Sequence, residues 1–339
     1  MNVKVAPTPI PYLDLYPGQA GPRLDHAITD RRAWTRDTVT ARDWTVGLDA
    51  PALAEIRELA ASLARDPLPT MLLEPDQFRL DACRTAMGAA KSILADGIGI
   101  AVVDRLPLDE LGRDQAVAAY WVLAGLLGPQ VAQKWDGTMI YDVRDTGRAY
   151  GYGVRGSITN IELSFHTDNA FAFAPPDYVG LLCLQPARQG GVSRFTSLYA
   201  VHNAMLARHP AALARLYEPM FMDRQAEHAP DGPKVAWVPM LRWDGQRLSA
   251  RLGPTLVRKG YAVMEMEPPA DVADALAALT EVLADPALTI EFTIARGQIQ
   301  LLNNRAFGHY RSAFEDDPAA PRHLARLWIR ERGRRTYDG

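Results

Sequence analysis

Several things are scarce in this chain, and each scarcity removes a class of protein. Among 339 residues there are two cysteines, Cys83 and Cys183, far apart and in mostly apolar surroundings. Two such thiols do not make a disulfide framework, and they read as buried free thiols in a reducing compartment. No run reaches the length of apolar residues that a membrane-spanning helix requires. The N-terminal stretch MNVKVAPTPIPYLDLYPG has prolines but no apolar signal core, so the expected location is cytoplasmic and off the membrane. The formal charge is only −3, with no clustered basic excess, which argues against a nucleic-acid surface. Arg330, Arg332, Arg334 and Arg335 read as a solvated basic end. Internal repeats and low-complexity segments are also lacking.

What is present is the composition of an ordinary globular protein, 48% hydrophobic and 23% charged. Residues 1–50, rich in Pro, Arg and Asp, read as an arm wrapping the body. The remainder, 51–339, reads as one domain with a helical part over 51–135 and a strand-rich core over about 136–330. Leu53, Ile56, Leu59 and Leu63 recur at helical spacing behind the start signals Asp49 and Pro51. The segments 77–96 and 108–127 repeat that pattern and end at Gly97 and Gly128, with GIGIAVVD between them as a buried strand. Strands are expected over 158–166, 178–184, 192–197, 234–243, 246–252, 288–294, 298–303 and 323–330, with Asp244-Gly245 as a hairpin signal. Helices are expected over 269–283 and after Leu198. Helices first and many short strands later indicate an α+β chain around a two-sheet jelly roll.

Of seven histidines, His26, His202, His209, His228 and His323 lie in polar or helical contexts that suit surface or capping roles. Two differ. In SFHTDNAF, His166 and Asp168 are two residues apart, so on an extended chain both point to one face. His309 follows the buried-looking run IQLLNN. Two histidines and a carboxylate with open positions suit non-haem Fe(II), although a hydrogen-bonded His-Asp pair needs no metal. Two other functions remain open at this point: a cupin-like metal-binding or sensor protein, and a hydrolase in which the same ligands hold Zn(II).

The segments FHTDNAF, PPDYVGLLCLQPARQGGVSRFTS, GPTLVRKGY, GQIQLLNNRAFGHYRSAFEDD and PRHLARLWIR, in that order, resemble the TauD/TfdA family of Fe(II)- and 2-oxoglutarate-dependent oxygenases, over roughly 136–330. The family includes taurine dioxygenase and is related to γ-butyrobetaine hydroxylase. The resemblance implies a double-stranded β-helix (jelly-roll) core with flanking helices. It also implies Fe(II), 2-oxoglutarate and O2 as the reacting partners, with succinate and CO2 released as a small substrate is oxidised. His166, Asp168 and His309 would be the metal ligands. Arg322, 13 positions after His309, would grip the distal carboxylate of 2-oxoglutarate, helped by the hydroxyl of Ser193, which Gly190 and Gly191 would aim inward. Arg326 is the second choice for that grip, or a clamp on the substrate. The carboxylate ligand argues against halogenation, while desaturation or ring formation stays open beside hydroxylation.

Asn160, Glu162 and Ser164 are expected to share the face of His166. Glu162 could receive an amine, and Arg155 or Arg326 a carboxylate or sulfonate, which together suit an amino-acid-like zwitterion. Tyr310 stands where many relatives have glycine and could reshape the pocket; Gln298 replaces an acidic residue common after the glycine. The glycine-rich loop around residues 147–156 looks able to close over substrate. The oligomeric state, homo-oligomer included, is not set by these features.

Overall fold

In three adjacent strands the side chains alternate between two different interiors. From Tyr178–Gln185, the residues Tyr178, Leu182 and Leu184 enter a core shared with helices, while Val179 and Leu181 line a cavity on the other face. From His323–Ile329, Ala325, Leu327 and Ile329 enter the same core, while Arg326 and Trp328 face the cavity. From Ile299–Asn303, Ile299 and Leu301 do the former and Gln300 the latter. Period-two alternation separates the packed core from the cavity wall.

This computed structural model describes residues 12–16, 18, 21–151, 153–225, 227–229 and 232–337. The three strands belong to a seven-stranded sheet, in the order Thr45–Gly47, Ile100–Asp104, Ile299–Asn303, Tyr178–Gln185, His323–Ile329 and Gln130–Val131, with Tyr141–Val143 also pairing on His323–Ile329. Opposite it lies a four-stranded sheet in the order Thr289–Phe292, Ser193–Ser197, Phe307–Arg311 and Leu163–His166. The architecture is α+β with a jelly-roll core.

Helices Ala50–Arg65, Asp81–Asp96 and Leu108–Gly125 cover the outer face of the larger sheet. The first begins where Asp49 accepts from the Ala52 amide at 2.9 Å, satisfying a donor that the helix cannot. Ile56 and Leu59 are buried on its inner face, and each such side chain contributes roughly 1.5–3 kcal/mol. Leu198–Arg208, Pro210–Leu216, Pro254–Val263 and Ala270–Leu283 pack in the core on the side of the smaller sheet. Leu24, Ile28 and Trp34 of the N-terminal arm are buried in that core too, and the Trp34 indole donates to the Ile98 carbonyl at 2.9 Å. Residues 1–11 of the arm lie outside the described residues.

The structure departs from the expected elements in particular places. The strand expected over 158–166 begins only at Leu163; Gly156–Ile158 is a 3-10 turn. The carbonyls of Thr159 and Ile161 accept from the Arg311 guanidinium instead of pairing in a ladder. His309, expected after a strand, lies within one, Phe307–Arg311. The run 234–243 divides into Val235–Pro239 and Leu241–Trp243, which belong to different sheets. The hairpin at Asp244-Gly245 forms, its turn tied by Asp244 Oδ1 to the amides of Gln246 and Arg247. Arg330 is not solvated: it is 5% exposed and donates to the carbonyls of Arg334 and Ala174. His202 is also buried rather than superficial, with Nε2 on the Leu24 carbonyl at 3.0 Å. Among the described residues no helix is long and apolar enough to cross a membrane.

Candidate metal centre and cosubstrate cavity

His309 and His166 are register partners on adjacent antiparallel strands, and their rings are 4.2 Å apart between centroids. The strand carrying His166 ends there, and the chain turns at Asn169, whose φ of 56° is unusual for a residue with a side chain. This turn brings Asp168 between the imidazoles: its Oδ1 is 3.5 Å from His166 Nε2 and 3.4 Å from His309 Nε2. One ligand atom from each residue falls within a 4.8 Å cluster, the size of a shared coordination site.

Other groups set the orientation. His166 Nδ1 lies 2.8 Å from the Ser164 carbonyl, so it carries the proton and Nε2 keeps its lone pair for a metal. The second carboxylate oxygen of Asp168, Oδ2, accepts from the Trp328 indole at 2.7 Å and lies 3.0 Å from Arg326 Nη1. Oδ1 is thereby left toward the histidines. The Asp168 backbone is clamped by Asn304, whose side-chain oxygen accepts from the Asp168 amide at 2.7 Å while its NH2 donates to the Asp168 and Pro176 carbonyls. Thr167 exchanges hydrogen bonds with Leu252 beside it.

Burial alone would push the Asp168 carboxyl up, but its neighbours, the Arg326 charge foremost, outweigh it and hold the group well below the usual carboxylate range. Burial and the neighbouring His166 lower the pKa of His309. An ionised carboxylate beside a neutral imidazole is the donor set a divalent metal needs. The residues present therefore fit Fe(II).

The triad opens on a cavity of about 400 Å³ between the sheets. Ser193, Arg311 and Arg322 line it; each is less than 9% exposed. Gly190 and Gly191 have φ of 77° and 65°, left-handed values that glycine adopts readily. A Cβ at Gly191 would lie 3.1 Å from Arg322 Nε, so the missing side chain gives that guanidinium its room. Arg322 packs over the Phe314 ring at 4.9 Å, and its Nη1 is buried without a hydrogen-bond partner. Among the described residues no carboxylate pairs with its side chain. Burial brings its pKa down to about 10. A desolvated cation with an unused N–H is what a ligand carboxylate would satisfy, so the site also fits a 2-oxo dicarboxylic acid.

The remaining expected residues fall as follows. Arg326 reaches the cavity, but its guanidinium is engaged by Asp168 and by Gln133 Oε1 at 2.8 Å. Arg155 lines the cavity with its charge neutralised by Glu227 at 2.5 Å. Glu162 and Tyr310 line the wall; burial and a hydrogen bond with Glu162 raise the Tyr310 hydroxyl to about 12. Asn160 is exposed and outside the lining: the strand begins only at Leu163, so alternation does not extend back to it. Sequence reasoning passed over Asn304, Trp328, Arg311 and Lys259. All four stand within the segments that carry the family resemblance, but their roles depend on which strand or loop lies alongside.

Residues 72–328 match the family described as "Taurine catabolism dioxygenase TauD, TfdA family". The chain is 28% identical over 320 residues to "FR-33289 synthase" of Streptomyces rubellomurinus, covering 92% of this chain and 93% of that protein. It is 25% identical over 320 residues to "Taurine hydroxylase-like protein SAT17" of Stachybotrys chartarum, covering 90% and 80%. Among solved structures, asparagine oxygenase with Fe(II), 3-hydroxyasparagine and succinate superposes with a TM-score of 0.65 at 22% identity, over 85% of this chain and 94% of that one. The non-haem iron oxygenase OrfP, solved with Fe and α-ketoglutaric acid, superposes at 0.61 with 19% identity, over 85% and 94%. With its fold, its two-histidine, one-carboxylate cluster and a family match spanning most of its length, the chain belongs to the TauD/TfdA family and is an Fe(II)- and 2-oxoglutarate-dependent oxygenase.

Proposed function

We propose that the protein hydroxylates an unactivated carbon of a small zwitterionic, amino-acid-like substrate, with His166, Asp168 and His309 as the iron ligands and Arg322 with Ser193 holding the distal carboxylate of 2-oxoglutarate. The observation that carries the cosubstrate assignment is the buried, unpartnered Nη1 of Arg322 in the cavity the triad shares. When bound, the iron and 2-oxoglutarate supply oxygen activation, with loss of CO2 and formation of succinate. The chain's own part is positional. Trp328 and Arg326 fix one oxygen of Asp168, and the 2.8 Å contact to the Ser164 carbonyl fixes the His166 ring. Val179, Leu181 and Phe195 supply an apolar lining to the cavity that the three proposed ligands share.

The substrate reading rests on charges farther along the same wall. Glu162 offers a carboxylate toward the cavity, with Tyr310 beside it. Arg155 and Arg326 are already engaged, which leaves Lys259 as the cation for an anionic end. Its ammonium bonds the Tyr150 hydroxyl at 2.9 Å and forms no ion pair among the described residues. Two proteins of similar fold were solved with hydroxylated amino acids bound, asparagine oxygenase with 3-hydroxyasparagine and OrfP with dihydroxy-arginine, which supports the reading. Two buried free thiols suit a reducing, cytoplasmic compartment. The test is a screen of amino acids, their N-acyl derivatives, betaines and sulfonates for stimulated succinate release. Stimulation confined to molecules bearing both charges supports the proposal; stimulation by uncharged molecules alone contradicts it.

A further inference from the structure

Arg311 is the second buried guanidinium of the cavity. It stands two positions after His309 on Phe307–Arg311, directly across from Ser193 in the antiparallel register. Side chains so paired project to the same face and are close neighbours. Arg311 is 7% exposed, and its guanidinium packs at 4.8 Å from the centre of the Phe314 ring that Arg322 approaches at 4.9 Å. Its Nη2 donates to the carbonyls of Thr159 and Ile161, while Nε and Nη1 are buried with no partner. Among the described residues no carboxylate pairs with either arginine.

A role confined to holding the 159–161 loop would use Nη2 and nothing more. It would leave unexplained why a full guanidinium, costly to desolvate, is kept beside another with two further donors unused. One shared anion would offset both charges and could take donors from both. We propose that Arg311 is a second cation of the cosubstrate subsite, forming with Arg322 and Ser193 a two-arginine clamp on the distal carboxylate. This makes the cavity select a 2-oxo dicarboxylic acid over a 2-oxo monoacid. The inference rests on the reading of the Arg322 end as the 2-oxoglutarate subsite.

The test measures binding, not turnover. The Fe(II)-loaded protein is titrated without oxygen with 2-oxoglutarate and, separately, with 2-oxobutyrate, which lacks the distal carboxylate, and both Kd values are read by calorimetry. In the wild type 2-oxoglutarate binds far more tightly. Arg311→Met is expected to cut that preference about tenfold or more, with the 2-oxobutyrate Kd unchanged, since a charge-assisted hydrogen bond is lost from one ligand only. Arg311→Lys, which keeps a charge and a donor for the loop carbonyls, is expected to fall between the two. If Arg311→Met binds neither acid, Arg311→Lys decides: a reduced preference supports the clamp, and a wild-type preference overturns it. Wild-type preference in both variants, with loss in Arg322→Leu, also overturns it and leaves Arg322 as the sole arginine. Absence of preference in the wild type would instead remove the cosubstrate assignment on which the clamp depends.

Discussion

The Trp328 indole donates to Oδ2 of Asp168 at 2.7 Å, which, with Arg326 on the same atom, leaves Oδ1 toward the two histidines. Both donors come from one strand, two residues apart, so a single β-strand face orients the Asp168 carboxylate. Trp328→Phe keeps an aromatic ring but removes the donor. Loss of such an orienting partner is expected to weaken metal affinity about 10- to 100-fold. Metal titration followed by calorimetry checks this; an unchanged affinity would show that Arg326 alone orients the group.

Asn304 holds the Asp168 turn through three hydrogen bonds and is 1% exposed. Asn304→Ala leaves one buried amide and two carbonyls without these bonds, so a stability loss of about 2–4 kcal/mol is expected, with weaker metal binding. Urea unfolding of the metal-free protein reads the first effect and metal titration the second. Wild-type values in both would mean that the turn at Asn169 holds itself.

Much of this arrangement was readable from the sequence, and what was not shares one cause. The spacing of His166 and Asp168 carries meaning locally, His309 and Arg322 became legible through the family resemblance of their segments, and the mostly apolar runs 178–184 and 298–303 read as strands directly. The roles of Trp328, Arg326 and Arg311 come from neighbours more than a hundred residues away. The same applies to the strand start at Leu163: Thr159 and Ile161 look extended in sequence, but a distant arginine takes their carbonyls. His309 was placed after a strand because FGHYR, with a glycine and polar residues facing a cavity, lacks the apolar alternation of a core strand.

Cys83 and Cys183 are both fully buried, and burial pushes their thiols up to about 12 and about 11. Since the thiolate is the reactive form, both should stay unmodified by a thiol reagent at pH 8 in the native protein and react once it is unfolded. Rapid reaction of either in the native state would contradict the packing around it.

Glu162 and Tyr310 share the proposed substrate wall. With a substrate identified by succinate release, Glu162→Gln should raise its KM about tenfold or more if the carboxylate receives an ammonium, since a charge-assisted bond is lost. The Kd for 2-oxoglutarate should remain within about twofold of wild type. An unchanged KM would take Glu162 out of substrate recognition.

The account turns on a metal triad and a guanidinium reading one cosubstrate from its two ends, and one titration tests both. Adding 2-oxoglutarate to the Fe(II)-loaded protein without oxygen should raise a visible absorption band in the wild type and none in His309→Ala. In Arg322→Leu the same band should require roughly 10- to 100-fold more 2-oxoglutarate, the equivalent of one lost charge-assisted interaction. No band in the wild type, or a half-saturation in Arg322→Leu equal to that of the wild type, would contradict the account.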